Sequence, residues 1–366
     1  MKKKLVWITP DYFVDCDIEI IPKLLKEFDI DWIVMIPSKD ARFKREDFIR
    51  FENLKGLSFT YQFCKYRYRD PRYLWTYFTV FSKLIKNKAD VIYLNYVPTP
   101  YFTVMAMLFF KRKKTILTAH QGEVHEGFQH QWVYKTLYKI SYSWFNINNL
   151  FSKSQEKIFT KKYPDNDICM IPLALKSFGD SDIEKRDDFI SFFTFGGIRP
   201  KKNIDLLIEA ACLVCDKGYK NFKIVIAGGC DNWSFYQQKI RYPEVFELDI
   251  RHIENKEIPR LFAYNHFLVL PYSIVTQSGP LKIAYNYNVP VIVSNQPGFT
   301  DEVVDNISGY VFKTADVEDL ANVLIKAINN GFDKYNDLVN KQHVFVNNTY
   351  SYEVILDQYI KMFNKF

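Results

Sequence analysis

Phe195-Gly196-Gly197-Ile198-Arg199-Pro200-Lys201-Lys202-Asn203-Ile204-Asp205-Leu206-Leu207-Ile208-Glu209-Ala210 decides the fold of this chain. Upstream of it, residues 189–195 form a nearly unbroken apolar run, the signature of a strand covered on both faces. Downstream, residues 204–215 place apolar side chains at helical spacing. Strand, glycine turn and helix in that order make one half of a parallel α/β unit. Two glycines let the backbone turn tightly and approach a ligand closely. Arg199, Lys201 and Lys202 put cations beside the start of a helix, where free N–H groups also favour an anion. The turn therefore suits a diphosphate; the plainer reading is a solvated basic turn.

The same alternation continues in both directions. C-terminal to the turn, strands are expected near 222–227, 247–250, 267–270, 289–293 and 309–312. Helices are expected near 257–263, 279–287 and 317–327, with a final amphipathic helix over 352–366. N-terminal to it, residues 176–188 are polar and read as a linker. Before that linker the pattern runs once more, with strands near 4–9, 32–36, 91–95, 115–118, 144–147 and 168–171. Helices fall near 18–27, 74–86, 101–110, 130–143 and 153–161, and residues 38–75 carry no clear pattern. The expected architecture is two doubly wound, Rossmann-like α/β domains, residues 1–175 and 189–345, facing each other across a cleft. In such sheets ligands sit beyond the carboxyl ends of the strands. His120, Gly196, Gly197, Gly228 and the run Thr276-Gln277-Ser278-Gly279 all stand just after expected strands.

Composition sets outer bounds. The chain has 366 residues, 48% of apolar type, with only 13 Gly and 15 Pro, which excludes collagen-like and wholly disordered classes. Residues 1–175 hold 28 Lys and Arg against 18 Asp and Glu, whereas residues 176–366 hold 21 against 24. A basic first half fits an anionic surface or a phosphorylated substrate. Basic and aromatic residues alternate at Tyr61, Lys65, Tyr66, Arg67, Tyr68, Arg69, Arg72 and Tyr73, and Lys111–Lys114 forms a second basic patch. Both suit anionic lipid headgroups; neither matches an RNA-binding module, and no nucleic acid is expected. Cys212 and Cys215 form a CxxC inside a helical pattern without a second pair, so zinc is not expected. The start of the chain does not read as a signal peptide, and the apolar run 101–110 is about half a bilayer span. A cytoplasmic protein is expected, peripheral at the inner face of the membrane.

Two further segments carry candidate chemistry. Thr276, Gln277, Ser278 and Gly279 precede Pro280, a residue at home in a first helical turn. Hydroxyls and backbone N–H groups here could hold a phosphate; Ser278 could equally be a simple helix cap. His120 ends a strand and is followed by Glu123, His125 and Glu126. Their offsets do not match a metal-binding helix pattern, and a polar lining for a sugar-sized acceptor fits better. No dinucleotide fingerprint follows the first strand, where Thr9-Pro10-Asp11 stands without glycine.

The second half resembles the donor domain of retaining GT-B glycosyltransferases, family 4-like (glycosyl transferases group 1). The resemblance runs through residues 195–210, then Ile258-Pro259 with Phe262 to Tyr272. It continues through Thr276-Gln277-Ser278-Gly279 with Ala284-Tyr285 and Val289-Pro290-Val291-Ile292, and then Pro297-Gly298-Phe299 with Glu302 and Gly309. The run at 276–279 resembles the branch of that family marked by "TQSG". Asp90 to Tyr93 and Thr118-Ala119-His120 resemble its acceptor domain more weakly.

What the resemblance implies is specific. Residues 1–175 would bind the acceptor, residues 189–345 the nucleotide-sugar donor, and helix 352–366 would cross back to the first domain. Lys202 would hold the donor diphosphate and Ser278 and Gly279 would contact phosphate. His120 would lie near the transferred sugar. The donor would be of UDP or GDP type, the acceptor a saccharide or lipid-linked saccharide of a cell-surface polysaccharide or lipopolysaccharide. Neither a resident cofactor nor a metal is implied. The sequence also departs from the family. Gly197 stands where an arginine usually binds phosphate, leaving Arg199 as the substitute, and Val275 and Ile283 stand at or near two usual glutamates. A non-catalytic nucleotide-sugar-binding protein and an epimerase are the alternatives on this scaffold.

Overall fold

A computed structural model describes residues 2–39, 41–67, 70–86, 88–96, 98–120 and 131–366. The chain forms two compact units, Met1–Ala174 with Tyr352–Phe366, and Leu175–Ser351.

In the first unit, seven parallel strands form one sheet of order β3-β2-β1-β4-β5-β6-β7. They are β1 (Lys3–Pro10), β2 (Phe28–Pro37), β3 (Leu57–Cys64), β4 (Val91–Leu94), β5 (Thr115–Ala119), β6 (Ile147–Leu150) and β7 (Asp167–Met170). The helices are α1 (Val14–Asp17), α2 (Ile21–Leu24), α3 (Tyr73–Lys86), α4 (Pro100–Phe109), α5 (Gln131–Trp144) and α6 (Lys153–Lys162). Strand β3 falls in the stretch that carried no clear pattern. It is an edge strand with an exposed, mixed face, so neither alternation nor an apolar run marks it. The expected helix 18–27 is two short turns, with Pro22 opening the second. Strand β6 starts where the strand expected at 144–147 ends, because α5 runs on to Trp144.

The second unit holds six parallel strands in the order β10-β9-β8-β11-β12-β13. They are β8 (Ile190–Phe195), β9 (Phe222–Ala227), β10 (Phe246–Asp249), β11 (Phe267–Leu270), β12 (Val291–Ser294) and β13 (Gly309–Phe312). Helices α7 (Ile204–Asp216), α8 (Trp233–Gln237), α9 (Ile258–Tyr264), α10 (Gly279–Asn286) and α11 (Pro297–Thr300) connect them. Helix α12 (Val317–Tyr350) extends well beyond its expected end and bends at Gly331, whose φ of 59° interrupts the helical run. One apolar cluster, built on α7 and α12, covers one face of the sheet; another, on α9 and α10, covers the other.

Helix α13 (Tyr352–Lys365) belongs to the first unit's core. Its Ile355, Tyr359, Met362 and Phe363 are buried there. The Phe363 ring lies 5.7 Å from Trp7 and 5.6 Å from Tyr93 between centroids, edge-on to both. Truncating so enclosed an aromatic removes its transfer energy and leaves a void. Phe363→Ala is expected to destabilise the first unit by about 3–5 kcal/mol. Denaturant unfolding followed by Trp7 and Trp32 fluorescence would show it as a lower midpoint.

Candidate functional site

The carboxyl edge of the second sheet gathers three strand exits, those of the adjacent strands β9, β8 and β11. At the β8 exit Gly196 has φ 95°, a left-handed conformation that favours glycine. At the β9 exit a Cβ on Gly228 would stand 2.3 Å from the carbonyl oxygen of Gly196, so the two turns touch backbone to backbone. The Gly196 amide donates to Ala227 and the Ile198 amide to Gly229, which extends the β8–β9 pairing through the turn. Gly197 is exposed.

Lys202 is placed by this turn. It closes a short 3-10 turn, Pro200–Lys202, and its Nζ lies 3.5 Å from the Phe195 carbonyl and 5.4 Å from the Tyr272 ring centroid. A Cβ on Gly196 would come within 3.1 Å of that Nζ. Burial lowers the ammonium's pKa to about 8, with Lys201 and Arg199 adding repulsion. Arg199 points elsewhere: it is exposed and its guanidinium lies 3.6 Å from Asp231.

The loop after β11 is fastened to the Lys202 turn. The Ser273 amide and hydroxyl both donate to the Lys201 carbonyl, at 2.9 and 3.2 Å. The Ser294 hydroxyl donates to the Tyr272 carbonyl from β12. Thr276 and Gln277 are half-buried, and Ser278 is buried at the N-cap of α10, its hydroxyl accepting from the Leu281 amide. That hydroxyl is thus engaged in capping, so a ligand here would meet the backbone at Gly279 rather than the Ser278 side chain.

Two residues that the sequence did not single out stand behind this loop. The buried Lys176 brings its Nζ to 3.3 Å from where a Cβ of Gly279 would lie. Lys282, fully buried on α10, pairs with Glu302 at 2.9 Å and lies 3.5 Å over the Tyr350 ring centroid. Burial favours the neutral form of both partners, and the pairing opposes it. Lys176 was read as the first residue of a linker and Lys282 as a helix position; only spatial proximity shows either as a cation near this loop.

His120 follows β5 in the first unit and is described by itself. Its ring is stacked between Phe13, 3.5 Å away, and Phe151, 4.6 Å away. Its Nε2 lies 2.8 Å from Oδ1 of Asn95, which follows β4. Glu123, His125 and Glu126, with Tyr68 and Arg69 of the basic cluster, lie outside the described residues. Among the described residues no helix is long and apolar enough to cross a membrane.

The second-unit edge can bind an anion. It presents an ammonium, turn amides and the N-terminus of α10, and burial poises the ammonium to take up a proton when the anion arrives. A lysine whose pKa is lowered loses its proton as pH rises through about 8, and an anionic ligand raises that pKa again. UDP affinity is therefore expected to fall by up to about tenfold per pH unit above pH 8. Lys202→Arg, which stays charged, should flatten the profile. Isothermal titration between pH 7 and 9.5, in buffers of different ionisation heat, measures both the affinity and the proton uptake.

Comparisons with known proteins agree with this architecture. Residues 179–350 match the family model described as glycosyl transferases group 1. No curated protein matches the sequence significantly. Among solved structures, a glycosyltransferase from Rickettsia africae superposes with a TM-score of 0.75 at 12% identity, covering 100% of this chain and 98% of that one. Anabaena HepE in complex with UDP-glucose gives 0.73 at 13% identity, covering 99% and 100%. Staphylococcus aureus TarM gives 0.65 at 18% identity over 80% of this chain and 59% of its own. The chain thus has a glycosyltransferase enzyme fold, GT-B, and through its second unit it is related to glycosyl transferases group 1.

Proposed function

We propose that this chain transfers a sugar from a nucleotide-diphosphate sugar to a hydroxyl of a saccharide or lipid-linked saccharide, with retention at the anomeric carbon. The observation that carries the proposal is the half-buried Lys202, held over Tyr272 on the edge where α10 begins. As the bond from the anomeric carbon to the diphosphate oxygen breaks, negative charge builds on the leaving group. Lys202 and the amides at Gly279 would offset it, and one preorganised donor of this kind is worth about 3–4 kcal/mol in the transition state. The acceptor oxygen would form the new bond on the same face of the sugar, passing its proton to the departing phosphate oxygen. His120 would meet the sugar from the first unit. Arg199, directed at Asp231, would act at most as a source of positive field. UDP is the first nucleotide to test, because Anabaena HepE is described in complex with UDP-glucose and an Escherichia coli trehalose-6-phosphate protein with UDP-2-fluoro glucose.

A thermal-shift screen of UDP, GDP, ADP and CMP with their sugars would identify the donor. In a transfer assay with that donor, Lys202→Ala should lower the rate at least tenfold, about 1.4 kcal/mol, while the protein stays folded. Undiminished transfer would remove Lys202 from the mechanism. Donor binding with no transfer to any acceptor would favour the non-catalytic binder.

The first unit supports an anionic membrane surface as the place of action. Between residues 55 and 139 the sequence carries fourteen Lys and Arg against four Asp and Glu. Helices α3, α4 and α5 pack side by side, joined by the Phe78–Phe109 ring contact and the Thr103–Ser141 hydrogen bond. They leave Trp75, Leu108 and Trp132 exposed at 68%, 73% and 74%. Large apolar side chains among cations suit the headgroup region of an anionic bilayer. The protein is expected to sediment with phosphatidylglycerol vesicles, weakly with phosphatidylcholine, and less after Trp75→Ser with Leu108→Ser. Equal binding to both lipids, or none, would overturn this part.

A further inference from the structure

His120 is the end of a buried chain of hydrogen bonds that fixes how its ring can act. Asp17, fully buried at the end of α1, receives three donors on one carboxylate oxygen. These are Trp7 Nε1 at 2.9 Å, Thr9 Oγ1 at 2.6 Å and Asn95 Nδ2 at 2.8 Å. Trp32 Nε1 donates in turn to Thr9 Oγ1, which commits the Thr9 proton to Asp17. A carboxylate only accepts, so the amide nitrogen of Asn95 must face Asp17. Its carbonyl oxygen must then face the other way, where it lies 2.8 Å from His120 Nε2 and 3.3 Å from Thr118 Oγ1. An amide oxygen also only accepts, so the proton on this edge of the imidazole belongs to Nε2.

We propose that Asp17 and Asn95 are positioning residues that hold His120, in its neutral form, as the Nε2–H tautomer, so that Nδ1 meets its partner as a hydrogen-bond acceptor. The logic is that of an outer carboxylate orienting a functional imidazole, with an amide inserted between the two. Stacking between Phe13 and Phe151 stops the ring from turning over to present the other nitrogen. Resting on the reading that His120 meets the sugar, the inference adds a direction. His120 would receive a hydrogen bond from a sugar or acceptor hydroxyl, and would not be the acid that protonates the leaving group.

The test reads the tautomer directly. The full chain labelled with 15N-histidine is studied by long-range proton–nitrogen correlation at pH 8, with His120 assigned among the six histidines by His120→Gln. The wild type should show Nε2 as the protonated nitrogen. Asp17→Asn keeps an oxygen for all three donors and should leave that signature unchanged. Asn95→Ala should abolish the single tautomer, giving a mixed signal. If Asn95→Ala does not fold, the wild type and Asp17→Asn decide. A protonated Nδ1 in the wild type, a switched tautomer in Asp17→Asn, or an unaltered one in folded Asn95→Ala would each overturn the proposal. UDP binding by the same wild-type sample separates the two levels: its absence would sink the proposed function and leave the tautomer result standing.

Discussion

Where a side chain on residue 228 would begin, the carbonyl oxygen of Gly196 already lies. That backbone contact ties the exits of two neighbouring strands together and leaves the β8 turn one course to follow. The course brings Lys202 back over the strand end, under Tyr272, and presents its ammonium at the carboxyl edge of the sheet. The fastening of Ser273 to Lys201 then fixes the third strand exit relative to the first two. Every later feature of the anion site, down to the cap of α10, depends on this joined edge. Its rigidity comes mainly from backbone hydrogen bonds, and its chemistry from a few side chains laid across them.

The parallel sheets were legible because their strands are apolar on both faces. The run 189–195 and its counterparts cannot be read as half-exposed strands. What was not legible has physical causes too. Strand β3 pairs on one side only, so its composition is diluted by solvent-facing residues. The stretch after Gly331 contains no proline, but its Asn-rich surface positions blur the helical pattern that packing enforces.

The Lys202 turn could be found by reading because glycine, cation and helix start coincide within a few residues. The support of His120 could not. Trp7, Thr9, Asp17, Asn95 and His120 come from five separate places in the chain, and each alone reads as an ordinary strand or turn residue. Only the sheet order, which sets β4 between β1 and β5, brings them together. Asp17 illustrates the energetics. Burial pushes its carboxyl up to about 6, and the three donors hold it from rising further. A polar network in an apolar interior persists only when its members are satisfied, and this one satisfies itself through side chains far apart in sequence.

The return of α13 to the first unit has a consequence for how the protein is made. The second unit is one continuous stretch, complete once its last helix has emerged from the ribosome. The first unit is interrupted: Trp7, Tyr93 and Phe28 lack the aromatic residues that cover them until residues 352–366 have been synthesised. During translation the downstream unit can therefore reach its native packing first, while the upstream sheet waits with an uncovered apolar face. In the interval that face is a target for chaperones and for misassociation, and its closure is the final event of folding.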